Sequence, residues 1–471
     1  MNTKKSKKRI AALLLVCLML CLHVTAFADW NFPYTELTAE SGIVMDADTG
    51  GILFGKDMHA HKYPASITKV LTALVVLEHC KPTDKVTLTH DDVYNVDFGS
   101  SNAQLEEGDT LTVEDLLNAM LLKSANEAAN ALACYVAGSR EAFADLMNET
   151  AIALGCVDSH FTNPSGLFDE NHYTSAYDMA LIGAEAMKNQ DFLEVESHMS
   201  YKMPATIRLP EGSTVYMEHK MLRPDTQYSD SRVVAGKTGY TVDCGNTLIT
   251  MAEDNGRRLV AVVLKDKNPQ HYLDTEALLN LGFDETENLP VPDGMISLDE
   301  IRSRLVADTI ISDETKTSDL HFSSDMLVSL PKGSSTDGIT WDLQYNLPKG
   351  VSEDTVAEVR FYAGDLEIGK YYVEKEQSIR VQFEEAPTTT KVAVAASVSF
   401  VTVALIIAAI FFSGGLTLGL KNVHDDHKLK KKMQDRRRQR LQDMNMSEEE
   451  FKQLVDARKN RKNNSEINSS L

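Results

Sequence analysis

The chain of 471 residues holds only six cysteines and two tryptophans, with no C-x-x-C pair and no cluster of histidines at structural-metal spacing. A structural metal centre is built from such close-set ligands, so neither a metal nor another cofactor is expected. Cys17 and Cys21 lack the small preceding residue of a lipid-anchoring site. Cys80, Cys134, Cys156 and Cys244 allow three full pairings, and free thiols are equally open. Positive charge is also scarce: the net charge is −22, yet the first 28 residues and residues 421–471 each carry +5, leaving −32 between them. A body of that sign repels phosphate, which excludes nucleic acid as a partner.

The ends of the chain carry what the middle lacks. Residues 1–28 have a basic start, an apolar run from Ile10 to Leu22 and Ala26-Phe27-Ala28 before Asp29, the pattern of a cleaved secretory signal. Residues 392–412 contain no charge, and as a helix they would cross roughly 30 Å of hydrocarbon. We therefore expect a transmembrane helix within 392–420. The basic cluster from Lys428 to Arg440 puts the tail, 421–471, in the cytoplasm by the positive-inside rule, and tethers the body outside the cell as a single-pass membrane protein. That tail is expected to act as a stop-transfer, and it could also meet anionic lipid or a cytoplasmic partner.

Between the ends, periodicity predicts an α/β (α+β) domain over 29–288 and a smaller β-rich stalk domain over 289–386. Gly42–Ala47 and Gly51–Phe54 read as a hairpin around Asp48-Thr49-Gly50-Gly51. Helices are expected at Val113–Leu122, Glu127–Ala137, Arg140–Leu154, from Ser175 onward and near Leu273–Leu281. Asn163-Pro164-Ser165-Gly166 reads as a turn. Val233–Gly239 reads as a strand, and Thr247–Met251 and Leu259–Leu264 as a hairpin through Asp254-Asn255-Gly256. A short helix is expected after the capping pair Ser447 and Glu450.

The chemistry starts at Pro64-Ala65-Ser66-Ile67-Thr68-Lys69, which precedes the almost unbroken apolar run Val70–Leu77. A helix apolar all round is a buried one, and Pro64 suits its start, so Ser66 falls in the first turn with Lys69 one turn on. A buried lysine loses its proton readily and can take one from a serine hydroxyl. Chance alone supplies about one or two S-x-x-K matches in a chain of this length. A second does occur, Ser329-Leu330-Pro331-Lys332, where the inner proline and Gly333 predict a turn.

What separates the first match from chance is its company. Ser66-x-x-Lys69, Ser124-x-Asn126 and Lys237-Thr238-Gly239 follow in that order, placed on a helix start, an interhelical loop and a strand. With Asn163-Pro164-Ser165-Gly166-Leu167 and Gly236-Lys237-Thr238-Gly239-Tyr240-Thr241, the chain over about 36–284 resembles the low-molecular-mass penicillin-binding proteins that are D-alanyl-D-alanine carboxypeptidases. The resemblance implies a β-lactamase/DD-peptidase-like antiparallel sheet flanked by helices, and peptidoglycan stem peptides and β-lactam antibiotics as ligands. It implies Ser66 as nucleophile, Lys69 as its base and Ser124 as proton relay. Asn126, Lys237, Thr238, Gly239 and Tyr240 would bind substrate, with the N–H groups of Ser66 and Tyr240 forming an oxyanion hole. Gly239 would admit the substrate backbone. Glu218-His219-Lys220-Met221-Leu222 departs from the Asn-rich run common in the family, and the arginine many members carry near His271 has no counterpart.

Three other readings compete. A β-lactamase would need a water held for fast deacylation, and we read no loop of E-x-x-x-N type between Asn126 and Lys237. Transpeptidase or endopeptidase activity would use the same residues on a different acceptor. A membrane-tethered receptor or scaffold would work through the tail without catalysis.

Overall fold

The computed structural model describes residues 30–97, 99–308, 320–345, 347, 351, 352 and 354–375. All of them fall in one compact unit that ends at Val381. The expected leader, the uncharged segment within 392–420, and the tail with its capping pair lie outside the described residues. Among the described residues no helix is long and apolar enough to cross a membrane.

The first hairpin forms β1 (Ser41–Asp46) and β2 (Ile52–Lys56), and a single 3-10 turn, Ala65–Thr68, runs into α1 (Lys69–His79). A helical lobe follows: β3 (Lys85–Thr87), α2 (His90–Tyr94), β4 (Thr110–Thr112), α3 (Val113–Leu122), α4 (Asn126–Ala137), α5 (Arg140–Ala153), α6 (Ala176–Ala186) and α7 (Gln190–Glu196). Thr112 and Asp115 cap α3 reciprocally, and the Ser175 hydroxyl accepts from the Asp178 N–H at the start of α6. After the small pair β5 (Ser200–Met203) and β6 (Ser213–Tyr216), the chain returns as β7 (Val233–Thr241), β8 (Gly245–Asp254) and β9 (Arg257–Asp266), then α8 (Gln270–Glu285). The central sheet has the order β2-β1-β9-β8-β7, antiparallel throughout. Asn255 and Gly256, with φ of 49° and 80°, supply the turn between β8 and β9, for which two left-handed residues are needed.

The apolar run Leu259–Leu264 is continuous because both faces of β9 are covered. Val260, Val262 and Leu264 face the helical lobe, while Leu259, Ala261 and Val263 pack with Leu278, Leu279 and Phe283 of α8. Helix α1 is buried from Lys69 to Val76 and occupies the middle of the lobe, so truncating Leu71 to alanine should cost about 2–5 kcal/mol.

Beyond α8 come β10 (Thr286–Pro290), α9 (Leu298–Asp308), β11 (Leu320–Phe322), β12 (Leu327–Pro331), β13 (Thr340–Gln344), β14 (Thr355–Ala363) and β15 (Leu366–Lys375). Four of them make a second antiparallel sheet, β11-β15-β14-β13, and β10 pairs with β12. Here the expected turn at Ser329–Lys332 is corrected: Ser329, Leu330 and Pro331 are strand residues, and the turn comes after them. Pro331 stands at the last rung of the ladder, opposite Thr286, where a strand tolerates a residue without an N–H. The tip of the first hairpin meets this region through Thr49 Oγ1 and Ser329 Oγ, 2.7 Å apart, and through the Lys370 N–H donating to Thr49 O at 2.8 Å.

Candidate active site

The 3-10 turn, the α3–α4 loop and the edge strand β7 converge on a cleft of about 310 Å³ that Ser66, Ser124, Thr238, Gly239 and Tyr240 line. Thr247 on β8 donates to Pro64 O at 2.7 Å, tying the start of the turn to the sheet. Ala65 and Ser124 both adopt left-handed backbone, with φ of 53° and 61°. Such conformations cost about 1–2 kcal/mol each for residues with a Cβ, so the neighbours must hold them. For Ala65 the holder is His172. Its Nδ1 accepts from the Thr162 N–H at 3.1 Å, which assigns the ring hydrogen to Nε2, 2.9 Å from Thr68 Oγ1; that hydroxyl in turn donates to Ala65 O at 2.8 Å. Burial pushes His172 down to about 3, so the ring stays neutral.

Lys69 is fully buried. Its Nζ lies 3.0 Å from Ser66 Oγ, 2.8 Å from Asn126 Oδ1 and 2.5 Å from Ser165 O. Burial first, and then the positive charge of Lys237, hold its pKa well below the usual lysine range. Burial favours the neutral amine, in which form two N–H groups and one lone pair meet these three oxygens. An amide oxygen and a peptide oxygen can only accept, so they take its two N–H groups and leave the lone pair facing Ser66. Asn126, at the first position of α4, has its own N–H bonded to Ser101 O at 3.0 Å. Glu127 beside it accepts from the Ala103 N–H at 2.6 Å, and burial raises its pKa.

Lys237 is buried on β7 and donates to Thr238 O at 2.9 Å. Burial lowers its pKa against the pull of Glu218 and Glu196. Gly239 has a reason nearer than substrate: a Cβ there would lie 2.4 Å from Thr247 Oγ1 and 2.9 Å from Ser66 N. The missing side chain lets the strand press against the nucleophile turn. Gly166 does the same from the other side, where a Cβ would fall 1.9 Å from Ala65 O. Tyr240 keeps 63% of its surface in water at the lip of the cleft.

The structure thus brings all eight expected residues, Ser66, Lys69, Ser124, Asn126, Lys237, Thr238, Gly239 and Tyr240, to one cleft and its walls. It also adds residues to which the sequence assigned no role. Ser101, Glu218, Lys220, Asn246, Asn268, His271 and Tyr272 line the same cleft. Ser165 contributes only a carbonyl, which residue identity cannot announce. Lys220 lies 5.6 Å from the Tyr272 ring and 5.7 Å from the Tyr228 ring, a cation over two stacked aromatics. The spacing E-x-x-x-N does in fact occur once in the stretch where we expected none, at Glu185-Ala186-Met187-Lys188-Asn189. It falls at the end of α6 and not in a loop at the cleft, and Glu185 pairs with Lys188. The four cysteines of the described residues are free thiols.

Known proteins share this architecture. Penicillin-binding protein 6B of Escherichia coli matches 73% of this chain and 97% of its own, with a TM-score of 0.53 at 26% identity. The fold is that of the penicillin-binding proteins. By sequence, the model of peptidase family S11, D-alanyl-D-alanine carboxypeptidase, matches residues 28–268. D-alanyl-D-alanine carboxypeptidase DacF of Bacillus subtilis is 30% identical over 304 residues, 60% of this chain and 73% of its own. DacD of Escherichia coli is 33% identical over 256 residues, 51% of this chain and 62% of its own. The chain belongs to the D-alanyl-D-alanine carboxypeptidase family, a family of serine hydrolases.

Proposed function

We propose that this enzyme removes the terminal D-alanine from peptidoglycan pentapeptides through an acyl-enzyme on Ser66, and that β-lactams acylate the same hydroxyl. The observation that carries the reading is the place of the buried Lys69 Nζ, 3.0 Å from Ser66 Oγ. With its two N–H groups held by Asn126 Oδ1 and Ser165 O, its lone pair takes the Ser66 proton as Oγ attacks the penultimate carbonyl carbon. General-base help of this kind is worth about 10²–10⁴ in rate. Negative charge then grows on the carbonyl oxygen, where the N–H groups of Ser66 and Tyr240 receive it. The C–N bond breaks, Ser124 passes a proton to the leaving amine, and water later cleaves the Ser66 ester. Lys237 and Thr238 take the terminal carboxylate, a charge-assisted contact that a buried ammonium on a strand edge suits.

Anchoring belongs to the same proposal. The uncharged segment within 392–420 would hold the body at the outer membrane surface, with the β-rich region over 289–386 as a stalk and the tail in the cytoplasm. The support is the sequence pattern given above.

The test is the intact mass of the full-length chain after brief exposure to benzylpenicillin, with Ser66→Ala as control, together with D-alanine release from a pentapeptide. A persistent penicilloyl adduct absent from the control, with D-alanine release, is expected. An adduct that clears within seconds would mean a β-lactamase, and D-alanine transferred out only against added amines would mean a transpeptidase.

A further inference from the structure

Lys237 is a buried cation whose nearest negative charges do not touch it, and one of them has no task in the mechanism above. Glu196 is the last residue of α7, which packs against β7, and is fully buried. One carboxylate oxygen accepts from the Gly236 N–H at 3.0 Å, and the other has no hydrogen-bond partner among the described residues. Gly236 immediately precedes Lys237, and a Cβ on it would lie 2.5 Å from Ile249 O and 2.8 Å from His219 Nε2. The backbone at Gly236 is therefore clamped between β8, His219 and the Glu196 carboxylate.

We propose that Glu196 is a positioning residue for the reaction: it pins the strand one residue before Lys237 and supplies the buried negative charge that keeps the Lys237 ammonium protonated. This rests on Lys237 being the group that takes the substrate carboxylate. The other charges that bear on the pair are few. Glu218 also favours the Lys237 ammonium, whereas Lys123 opposes it. His219, across Gly236, donates from Nε2 to Thr250 Oγ1 at 2.9 Å and accepts from the Met221 N–H, so it is neutral. Lys69 stands at the start of α1. On α3, Asp115 is engaged by Tyr201 and Asn118 by His198. Glu196 carries a cost as well, because its own charge repels the incoming carboxylate. The expected benefit is thus the pH range over which Lys237 stays charged, not the peak affinity. Burial raises Glu196 to about 7, so its charge is present on the alkaline side, where Lys237 most needs it.

The test uses the full-length chain and two boronic acids that add to Ser66, one bearing a carboxylate placed as in the peptide and one lacking it. The ratio of their affinities, followed against pH, isolates the carboxylate contact from the ionisation of boron and of Lys69. In Glu196→Gln, an amide oxygen can still accept from Gly236 while the charge is gone. The ratio is expected to collapse at lower pH than in the native enzyme, by about one pH unit, or tenfold at a pH on the limb. A ratio profile that overlays the native one, or moves to higher pH, would overturn the proposal. So would equal weakening of both boronic acids, the mark of a merely structural residue. Lys237→Ala separates the underlying reading: if it leaves the native ratio intact, Lys237 does not hold the carboxylate, whatever Glu196 does.

Discussion

Two basic side chains in this chain, one fully buried and one a third exposed, have opposite surroundings. Lys69 touches only neutral oxygens, those of Ser66, Asn126 and Ser165. Arg360, on β14 of the second sheet, lies between two carboxylates, ion-paired with Glu358 and 3.2 Å from Glu367 Oε2. Against the opposing effect of burial those neighbours raise the Arg360 pKa, whereas burial and Lys237 together depress that of Lys69. A cation given two acids is fixed as a charge and holds strands together. A lysine buried with no acid in contact and another cation nearby is driven toward the neutral amine, whose lone pair is a reagent.

The comparison breaks most visibly at the hydroxyl the amine serves. Ser66→Ala should abolish the penicilloyl adduct in the mass spectrum and lower D-alanine release by at least about a thousandfold. Lys69→Met should remove acylation by about 10²–10⁴-fold while moving the unfolding free energy by less than about 1 kcal/mol. Its losses and gains offset: two buried acceptors lose a donor, and a desolvated amine disappears. Arg360→Met should do the reverse. It leaves the buried Glu358 and Glu367 with Lys370 as their neighbouring positive charge and takes away their hydrogen-bond donor, so denaturant unfolding should show a loss of about 1–3 kcal/mol with kcat unchanged. If Lys69→Met unfolds the enzyme as readily as Arg360→Met, Lys69 is a structural cation and the contrast fails.

The same contrast has a pH signature. Lys69 in the folded state binds its proton less tightly than in the unfolded chain, so the unfolded state carries more protons and this residue's share of stability rises with pH. Below the ordinary lysine pKa it is a cost, and Lys69→Met should flatten that part of the stability profile. Acylation should climb with pH through the depressed Lys69 pKa, and stopped-flow acylation rates would show it; a rate independent of pH there would assign the base elsewhere. Gly239→Ala should lower acylation by about 10–100-fold, since a shift of the nucleophile by about 1 Å is enough for that. Ser329→Ala and Lys332→Ala, the decoy match, should leave acylation unchanged.

The decoy also shows where sequence reading reaches its limit. Ser66 and Ser329 start the same four-residue pattern, and what distinguishes them is the apolar run behind Lys69 and the two motifs that follow. Those local signals mark residues that the fold brings close to one another, and the apolar run in β9 and the turn at Asn255-Gly256 were equally plain. The remainder depends on contacts between distant segments. His172 acts on Ala65 through Thr68 and Glu196 reaches Gly236 from another layer, so neither leaves a mark in its own neighbourhood, and the stretch around Ser165 stood out without telling that its carbonyl meets Lys69. The strand at Ser329 was missed because a proline reads as a turn unless its place at the end of a ladder is known.

Gly166 and Gly239 leave the nucleophile turn no slack on either side. Any lineage of this enzyme under pressure from an acylating drug therefore has little to vary at the reacting centre itself, because a single added carbon there collides with peptide backbone. Variation is left to the exposed lip, at Tyr240, and to the mixed wall of Lys220, His271 and Tyr272. There side chains can change without disturbing Ser66, and the preference for one acyl donor over another can drift while the chemistry stays fixed.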